Sequence, residues 1–263
     1  MPNYPYRDLK PTAEAEVLFR RWIAHLNEEF KRHEGYERRC DIVRDELFQI
    51  YTGKTHGSNR GTTVPLITEL ASSVLAESLD PRNITLEPEY YGDIDTEKYM
   101  PRKPLIWLWQ MFDRSPLGLN HWLGFHFRCM LAQHIFKKIG KGVKMFHGIE
   151  FSYGYNLTVE DNCTIHKYVM LDDRGEIIIR EGSSISDYAS IYSHSHDIHQ
   201  QSDVTHQVTE IGPRARITYH ATVLAGAKVG EDSMLGAMAL ATKPVPAHAI
   251  SVGIPAKKIH DKG

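Results

Sequence analysis

Between residues 139 and 240, aliphatic side chains recur every six residues, and few chain folds accommodate that period. The run Ile211, Ile217, Val223, Val229, Leu235 is uninterrupted, and the fifth place of each of its hexads is small: Ala215, Ala221, Ala227, Ser233, Ala239. Ile179, Ile185 and Ile191 form a second run, Val159, Ile165 and Leu171 a third, and Ile139, Met145 and Phe151 a fourth. Small slips in phase separate the runs, as loops at the corners of a coil would produce. An amphipathic helix repeats near 3.6 residues and an alternating strand every two, so neither yields six. A parallel β-helix of hexapeptides does. Three hexads make one triangular turn, with the aliphatic residue inside and the small one beside it near the corner. Residues 139–240 are therefore expected to stack as roughly six turns, each burying its face on the next. The chain after Pro246, including Val252-Gly-Ile-Pro255 and Ile259, is expected to cap the last turn.

The chain changes character near residue 138, which predicts a helical N-terminal domain over 1–138 and a β-helix domain over 139–263. From Ala13 to His33, Leu18, Trp22, Leu26 and Phe30 recur every four residues, one apolar stripe on one helix face. A second helix is predicted over Asp41–Tyr51, burying Ile42, Val43, Leu47 and Ile50, and a third over Pro65–Leu79, stopping before Pro81. Gly53 to Gly61 reads as a polar loop; its Gly53-Lys-Thr55 lacks the phosphate-loop glycine five residues earlier, where Phe48 stands. The Pro- and Tyr-rich residues 81–103 read as irregular, and two short apolar helices are predicted near 104–113 and 117–138. Their aromatic residues, Trp107, Trp109, Phe112, Trp122, Phe125 and Phe127, are expected to bury against the first turn of the coil or a neighbouring subunit. Contact with a membrane surface or a lipid-linked acceptor is the alternative use of that stretch.

Composition narrows the function classes. Among 263 residues, 31 Lys and Arg face 33 Asp and Glu, a net charge of −2, which argues against a general nucleic-acid coat. Cys40, Cys129 and Cys163 are odd in number and far apart, so neither a disulfide framework nor a Cys-x-x-Cys zinc site is indicated. No apolar stretch has signal-peptide form at the start or the ~20 clean residues of a membrane span. A reduced, cytoplasmic protein is the expectation, in which the sequons at Asn156 and Asn162 are idle.

Three segments carry a more specific likeness. Tyr153-Gly-Tyr-Asn156 is followed by Leu171-Asp172 and then by Ile191-Tyr-Ser-His-Ser-His-Asp197. The tail reads Val223-Leu-Ala-Gly-Ala-Lys-Val-Gly230, then Ala241-Thr-Lys243, then Val252-Gly-Ile-Pro-Ala-Lys257. In this order and spacing the segments, covering about 149–259, resemble the maltose and galactoside O-acetyltransferases of the hexapeptide acyltransferases. The resemblance implies a left-handed β-helix, a homotrimer and acetyl-CoA as donor; the expected acceptor is a sugar or glycan, at sites between subunits, with no metal. The family's histidine follows the apolar step of a hexad by five residues and precedes a loop, which makes His196 the implied catalytic base, ahead of the loop at about 197–209; His194 is its rival. Asn156 and Asp172 match positions at the acceptor pocket, or serve as corner-turn residues. Lys167 replaces a family asparagine that contacts the acceptor, and Arg216-Ile-Thr218 replaces the family's Trp-Ile-Gly. Ala237, Thr242 and Lys243 match CoA-contacting positions, and Lys257 and His260 match basic positions near the nucleotide phosphates.

The chemistry asks for few groups: an acceptor hydroxyl or amine must lose a proton as it attacks a thioester carbonyl, and a histidine near neutrality can take it. A backbone N–H can hold the developing oxyanion. Two other readings stay open. His194, His196, His199, His206 and His220 crowd one region, and three imidazoles could hold zinc, as in proteins resembling β-helix carbonic anhydrases. Alternatively the coil only trimerises, as a scaffold for a partner-binding N-terminal domain.

Overall fold

Thr12 opens the first helix, α1 (Ala13–Arg32), by accepting the Ala15 N–H on its hydroxyl, with Glu14 and Glu16 in the first turn and Lys31 and Arg32 in the last. The computed structural model describes residues 10–57 and 66–262 of the chain. Leu26 and Phe30 are buried and Trp22 half-buried. Leu18, expected on the same stripe, is 64% exposed. It lines, with Phe19, Trp22 and Ile50, an open groove of about 330 Å³ where the early turns of α1 run past the body.

Helix α2 (Tyr36–Thr52) begins five residues before the expected Asp41. Arg39 accounts for the extension. Its buried guanidinium donates to the carbonyls of Phe30 and His33, at the end of α1, and of Pro101 at 2.7 Å. Those helix-end carbonyls lack partners of their own. The α2 helix ends at Gly53, whose φ of 69° suits glycine. Helix α3 (Leu66–Leu79) follows; residues 58–61 of the expected loop lie outside the described residues. The stretch expected to be irregular holds three short helical pieces, Pro81–Asn83, Glu87–Tyr90 and α4 (Thr96–Tyr99). Asp80 and Asp95 initiate two of them by accepting backbone N–H groups, a local signal that hydrophobic periodicity does not register. Helices α5 (Lys103–Arg114) and α6 (His121–Ile135) close the region, with Asn120 capping α6.

From Lys138 the chain winds as a triangular coil of about six turns, and its strands stack into three parallel faces. Ile139, Val159, Ile179, Ile211 and Val229 align on the first face, and Met145, Ile165, Ile185, Ile217 and Leu235 on the second. Phe151, Leu171, Ile191, Val223 and Ala241 align on the third. Every registered aliphatic residue is buried except Ile139, which is half-buried. At many corners a residue of positive φ precedes a buried residue of the hexad. Asn162, Tyr168, Tyr188, Arg214, His220, Asp232, Met238 and His248 all have φ between 49° and 60°, ahead of Cys163, Val169, Ala189, Ala215, Ala221, Ser233, Ala239 and Ala249. The reversal folds the chain round the corner and turns the next side chain inside, where small residues predominate.

Both ends are closed. At the start, the Trp109 ring meets Phe136 and Phe151 edgewise or tilted, at 5.9 and 5.3 Å, and donates its indole N–H to the Ile149 carbonyl. At the far end Ala249–Val252 extends the second face and pairs antiparallel with Lys257–Asp261. One apolar core runs from the helices into the coil. Arg128 of α6 fastens the two: it donates to Asp113 of α5 at 2.8 and 2.6 Å and to the carbonyls of Gly118 and Met145. The other Asp113 oxygen accepts the Gly148 N–H.

Candidate active site

The phase slips share one place. Phe151 to Val159 and Leu171 to Ile179 are each two residues longer than a hexad, and Ile191 to Ile211 is longer by fourteen. All three lie at the corner from the third face to the first, in successive turns. The extra residues there, Tyr153–Asn156, Asp173–Gly175 and the 193–207 excursion, stack on one another. The excursion leaves the coil as an antiparallel hairpin, His194–His196 against Val204–His206, closed at its base by Gln207 N–H to Ser193 O at 2.8 Å. The carbonyls of Ser193 and Gln207 would lie 2.4 Å from a β-carbon at position 175, so only Gly175 admits the hairpin's exit.

His194 and His196 sit on the first hairpin strand with ring centroids 5.1 Å apart, and their surroundings separate them. Arg174 Nη1 lies 3.1 Å from His194 Nε2. A guanidinium only donates, so Nε2 accepts and the ring proton is on Nδ1. That nitrogen lies 3.0 Å from Asp172 Oδ2, off the line of a hydrogen bond. Burial lowers the His194 pKa, ahead of the opposing attraction of Asp172, and favours the neutral ring. His196 is exposed, and its Nδ1 is 2.7 Å from the Gln201 carbonyl, which can only accept. In the neutral ring Nδ1 therefore carries the proton, and the Nε2 lone pair has no partner among the described residues.

Arg174 is held in turn by Asp93, from the connection before α4, through Nε at 3.0 Å and Nη2 at 2.8 Å, and its guanidinium lies 4.4 Å over the Tyr91 ring. The Tyr153 hydroxyl and His206 Nε2 also donate to Asp93, each at 2.7 Å. Burial works against the Asp93 anion, but these three donors outweigh it and hold the carboxyl at about 2. A depressed folded-state pKa stabilises above the unfolded value near 4 and is lost only as pH falls towards about 2, so this clasp persists through the neutral range. Asp93→Ala removes the anchor between the N-terminal region and the hairpin. Backbone amides of His194–His196 and Val204–His206 are then expected to exchange with deuterium about tenfold faster or more, since a hydrogen bond to a charged group contributes roughly 1.5–3 kcal/mol. Unchanged exchange would show that Asp93 does not hold the hairpin.

Beneath the network Asp173 is fully buried, accepting the backbone N–H groups of Tyr153 at 2.7 Å and Asn156 at 3.3 Å. Burial pushes its carboxyl up to about 7, against those N–H groups. A raised folded-state pKa stabilises fully below the unfolded value of about 4, and the contribution is lost as pH rises through about 7. Asp173→Asn is expected to flatten the decline of melting temperature across that window, read by thermal denaturation at several pH values.

The remaining candidates are distributed as follows. Asp172 is buried between the Ser152 hydroxyl, the Arg174 N–H and His194. The Asn156 amide donates to the Asp173 and Arg174 carbonyls, within the corner. Lys167 stands at a different corner, between the second and third faces, with its backbone N–H on Asp187, so one chain does not bring it to His194. Ala237, Thr242, Lys243, Lys257 and His260 are exposed at the C-terminal end of the coil. Tail and coil meet there: Leu240 N–H donates to Gly253 O, and Ala256 N–H to Leu240 O. The five histidines do not converge: His206 is on Asp93, and His220 stacks on Tyr188 at 4.9 Å on another corner. Among the described residues no group of three or more His, Cys, Asp or Glu could hold a metal ion. No described helix is long and apolar enough to cross a membrane. Sequence reasoning missed Asp93, Tyr91 and Arg174, and read His206 as a possible metal ligand where it is a partner of Asp93. The phase slips were the signal that could have found Arg174; nothing local marks Asp93 or Tyr91.

No family model matches the chain. A putative colanic acid biosynthesis acetyltransferase, WcaF, of Escherichia coli K12 is 30% identical over 154 residues, 58% of this chain and 81% of the relative. A maltose O-acetyltransferase from Clostridium difficile 630 shares the fold with a TM-score of 0.57 at 21% identity, over 68% of this chain and 98% of that one. A galactoside acetyltransferase, solved in complex with coenzyme A, gives 0.52 at 20%, over 65% and 84%. With its hexad-built left-handed coil and this extent of identity, the chain belongs to the hexapeptide-repeat acetyltransferases.

Proposed function

We propose that the protein transfers an acetyl group from acetyl-CoA to a hydroxyl of a sugar or sugar-containing acceptor, with His196 as general base. The observation that carries this reading is the pairing at the hairpin. His196 Nε2 has a free lone pair and a ring fixed through Gln201, whereas His194 Nε2 is occupied by Arg174. In the step so assigned, the acceptor oxygen bonds to the thioester carbonyl carbon while its proton passes to His196 Nε2. The tetrahedral adduct then expels CoA thiolate, which receives that proton from the imidazolium, leaving the acetyl ester and free CoA. Arg174 and Asp172 orient His194 beside it. Asn156, Asp172, Lys167 and His194 are the acceptor-pocket set, and since Lys167 lies at another corner, a second copy would supply it in a homotrimer with sites between subunits. In this reading the helical region, 1–138, sets the acceptor and the coil, 139–263, carries the transfer, in the cytoplasm.

The donor assignment is supported by the bound coenzyme A in the galactoside acetyltransferase of like fold, and the glycan acceptor by the biosynthetic name of the WcaF relative. Ala237, Thr242 and Lys243 are assigned to CoA, with Lys257 and His260 reaching its phosphates. The test is calorimetric titration with acetyl-CoA, followed by an acceptor screen on sugars. Binding in the micromolar range is expected. Lys257→Ala and His260→Ala are each expected to weaken it about fivefold, the scale of one charge-assisted phosphate contact. Absence of acetyl-CoA binding would overturn the assignment.

A further inference from the structure

A cavity of about 450 Å³ lies between the connection that carries Asp93, helix α5 and the third face of the coil. That volume is in the range of small-ligand sites. Its lining is mixed: the Trp107 indole and the Tyr91 ring, the Gln110 amide, the Arg114 guanidinium, the Glu150 carboxylate and the Ser152 hydroxyl. The cavity adjoins the hairpin site through two of these. Ser152 donates to Asp172, which faces His194, and Tyr91 lies under the Arg174 guanidinium that holds His194.

We propose that this cavity holds a second sugar ring of the acceptor, so that the protein selects an oligosaccharide or glycosylated molecule over a free monosaccharide. The proposal rests on the acetyltransferase reading above for the ring that reacts. The chemistry fits a neutral sugar. Aromatic faces cover the apolar C–H face of a pyranose, while hydroxyls need donors and acceptors together, which amide, guanidinium and carboxylate supply. Glu87 and Glu150 face one cation, Arg114, so a phosphate or a uronate would meet net repulsion. The Trp107 indole N–H is buried and has no partner in the protein. The indole lies at the cavity wall, so its N–H reports on what fills the cavity. Every lining side chain except Glu150, Ser152 and those of the coil's own face comes from the helical region, which is where a specificity element separate from the transfer machinery would be built.

The test follows the indole N–H resonance of Trp107 in nitrogen-15-labelled full-length protein, assigned with Trp107→Phe, while glucose, galactose, maltose, lactose and maltotriose are added up to about 50 mM. At least one di- or trisaccharide is expected to shift it saturably, with the monosaccharides about tenfold weaker. Gln110→Ala and Arg114→Ala, both at the cavity's edge, are expected to weaken that saccharide's binding about tenfold each without moving the melting temperature. A resonance unmoved by all five sugars overturns the proposal. So does a shift that survives both substitutions, or one as strong with monosaccharides. The acetyl-transfer assay reads the other assumption: sugar binding at Trp107 in a protein that acetylates nothing keeps the cavity and removes the transferase, and transfer with an unmoved Trp107 does the reverse.

Discussion

His196→Ala is expected to lower kcat for acetyl transfer by about 10²–10⁴-fold, the usual contribution of a positioned general base, with the affinity for acetyl-CoA nearly unchanged. The asymmetry follows from the hairpin. Among the described residues the exposed His196 ring makes one hydrogen bond, through Nδ1 to the Gln201 carbonyl, and one edge contact, with His194, so its loss removes the unpartnered Nε2 and little else. His194 is different: it is part of a buried chain from Asp172 to Arg174 to Asp93. His194→Ala leaves Arg174 short of an acceptor and is expected to loosen the hairpin as well as slow transfer. Steady-state kinetics with calorimetry on both variants distinguishes the roles. Transfer by His196→Ala at the wild-type rate would remove it from the mechanism, and the Nδ1-protonated His194 could not replace it without a rearrangement of Arg174.

The largest expected effect on stability comes from Asp113→Ala. Arg128 and Asp113 are 1% and 7% exposed at the side chain, and Arg128 also holds the carbonyls of Gly118 and Met145. Deleting the carboxylate strands a buried guanidinium and frees the Gly148 N–H, a loss of about 3–5 kcal/mol. Against a total stability of roughly 5–15 kcal/mol, that is a large fraction. The midpoint of urea unfolding should fall accordingly. Adding Arg128→Met is expected to restore part of the loss, because the uncompensated charge goes with it. A loss below about 1 kcal/mol would mean that the pair does not join the helices to the coil.

The coil was legible because its constraint is local and repeated. Each hexad must put one aliphatic residue inside and a short one at the corner, and sequence distance alone reports that. The same periodicity underlies the tail, where Val223 to Val229 steps without a slip on to Leu235. What it concealed lay in its interruptions. Asp173, Arg174 and the hairpin occupy the extra residues at one corner, which as sequence are merely phase slips. The helical region was legible in its stripes and less so at its boundaries: α2 starts at Tyr36 because Arg39 satisfies carbonyls of another helix, and hydrophobic spacing carries no record of that.

By itself, the sequence determined the coil and its register, since these depend on residues close along the chain. Tertiary structure alone decided which histidine keeps a free nitrogen. Asp93 is 81 residues from Arg174 and 113 from His206, yet it anchors both. Trp107 and Ser152 come from different regions of the chain, and the two line one cavity. Pairings at such separations follow from how the helices seat on the first turns of the coil, and burial then gives a carboxylate, a guanidinium and an imidazole properties that none of them has in water.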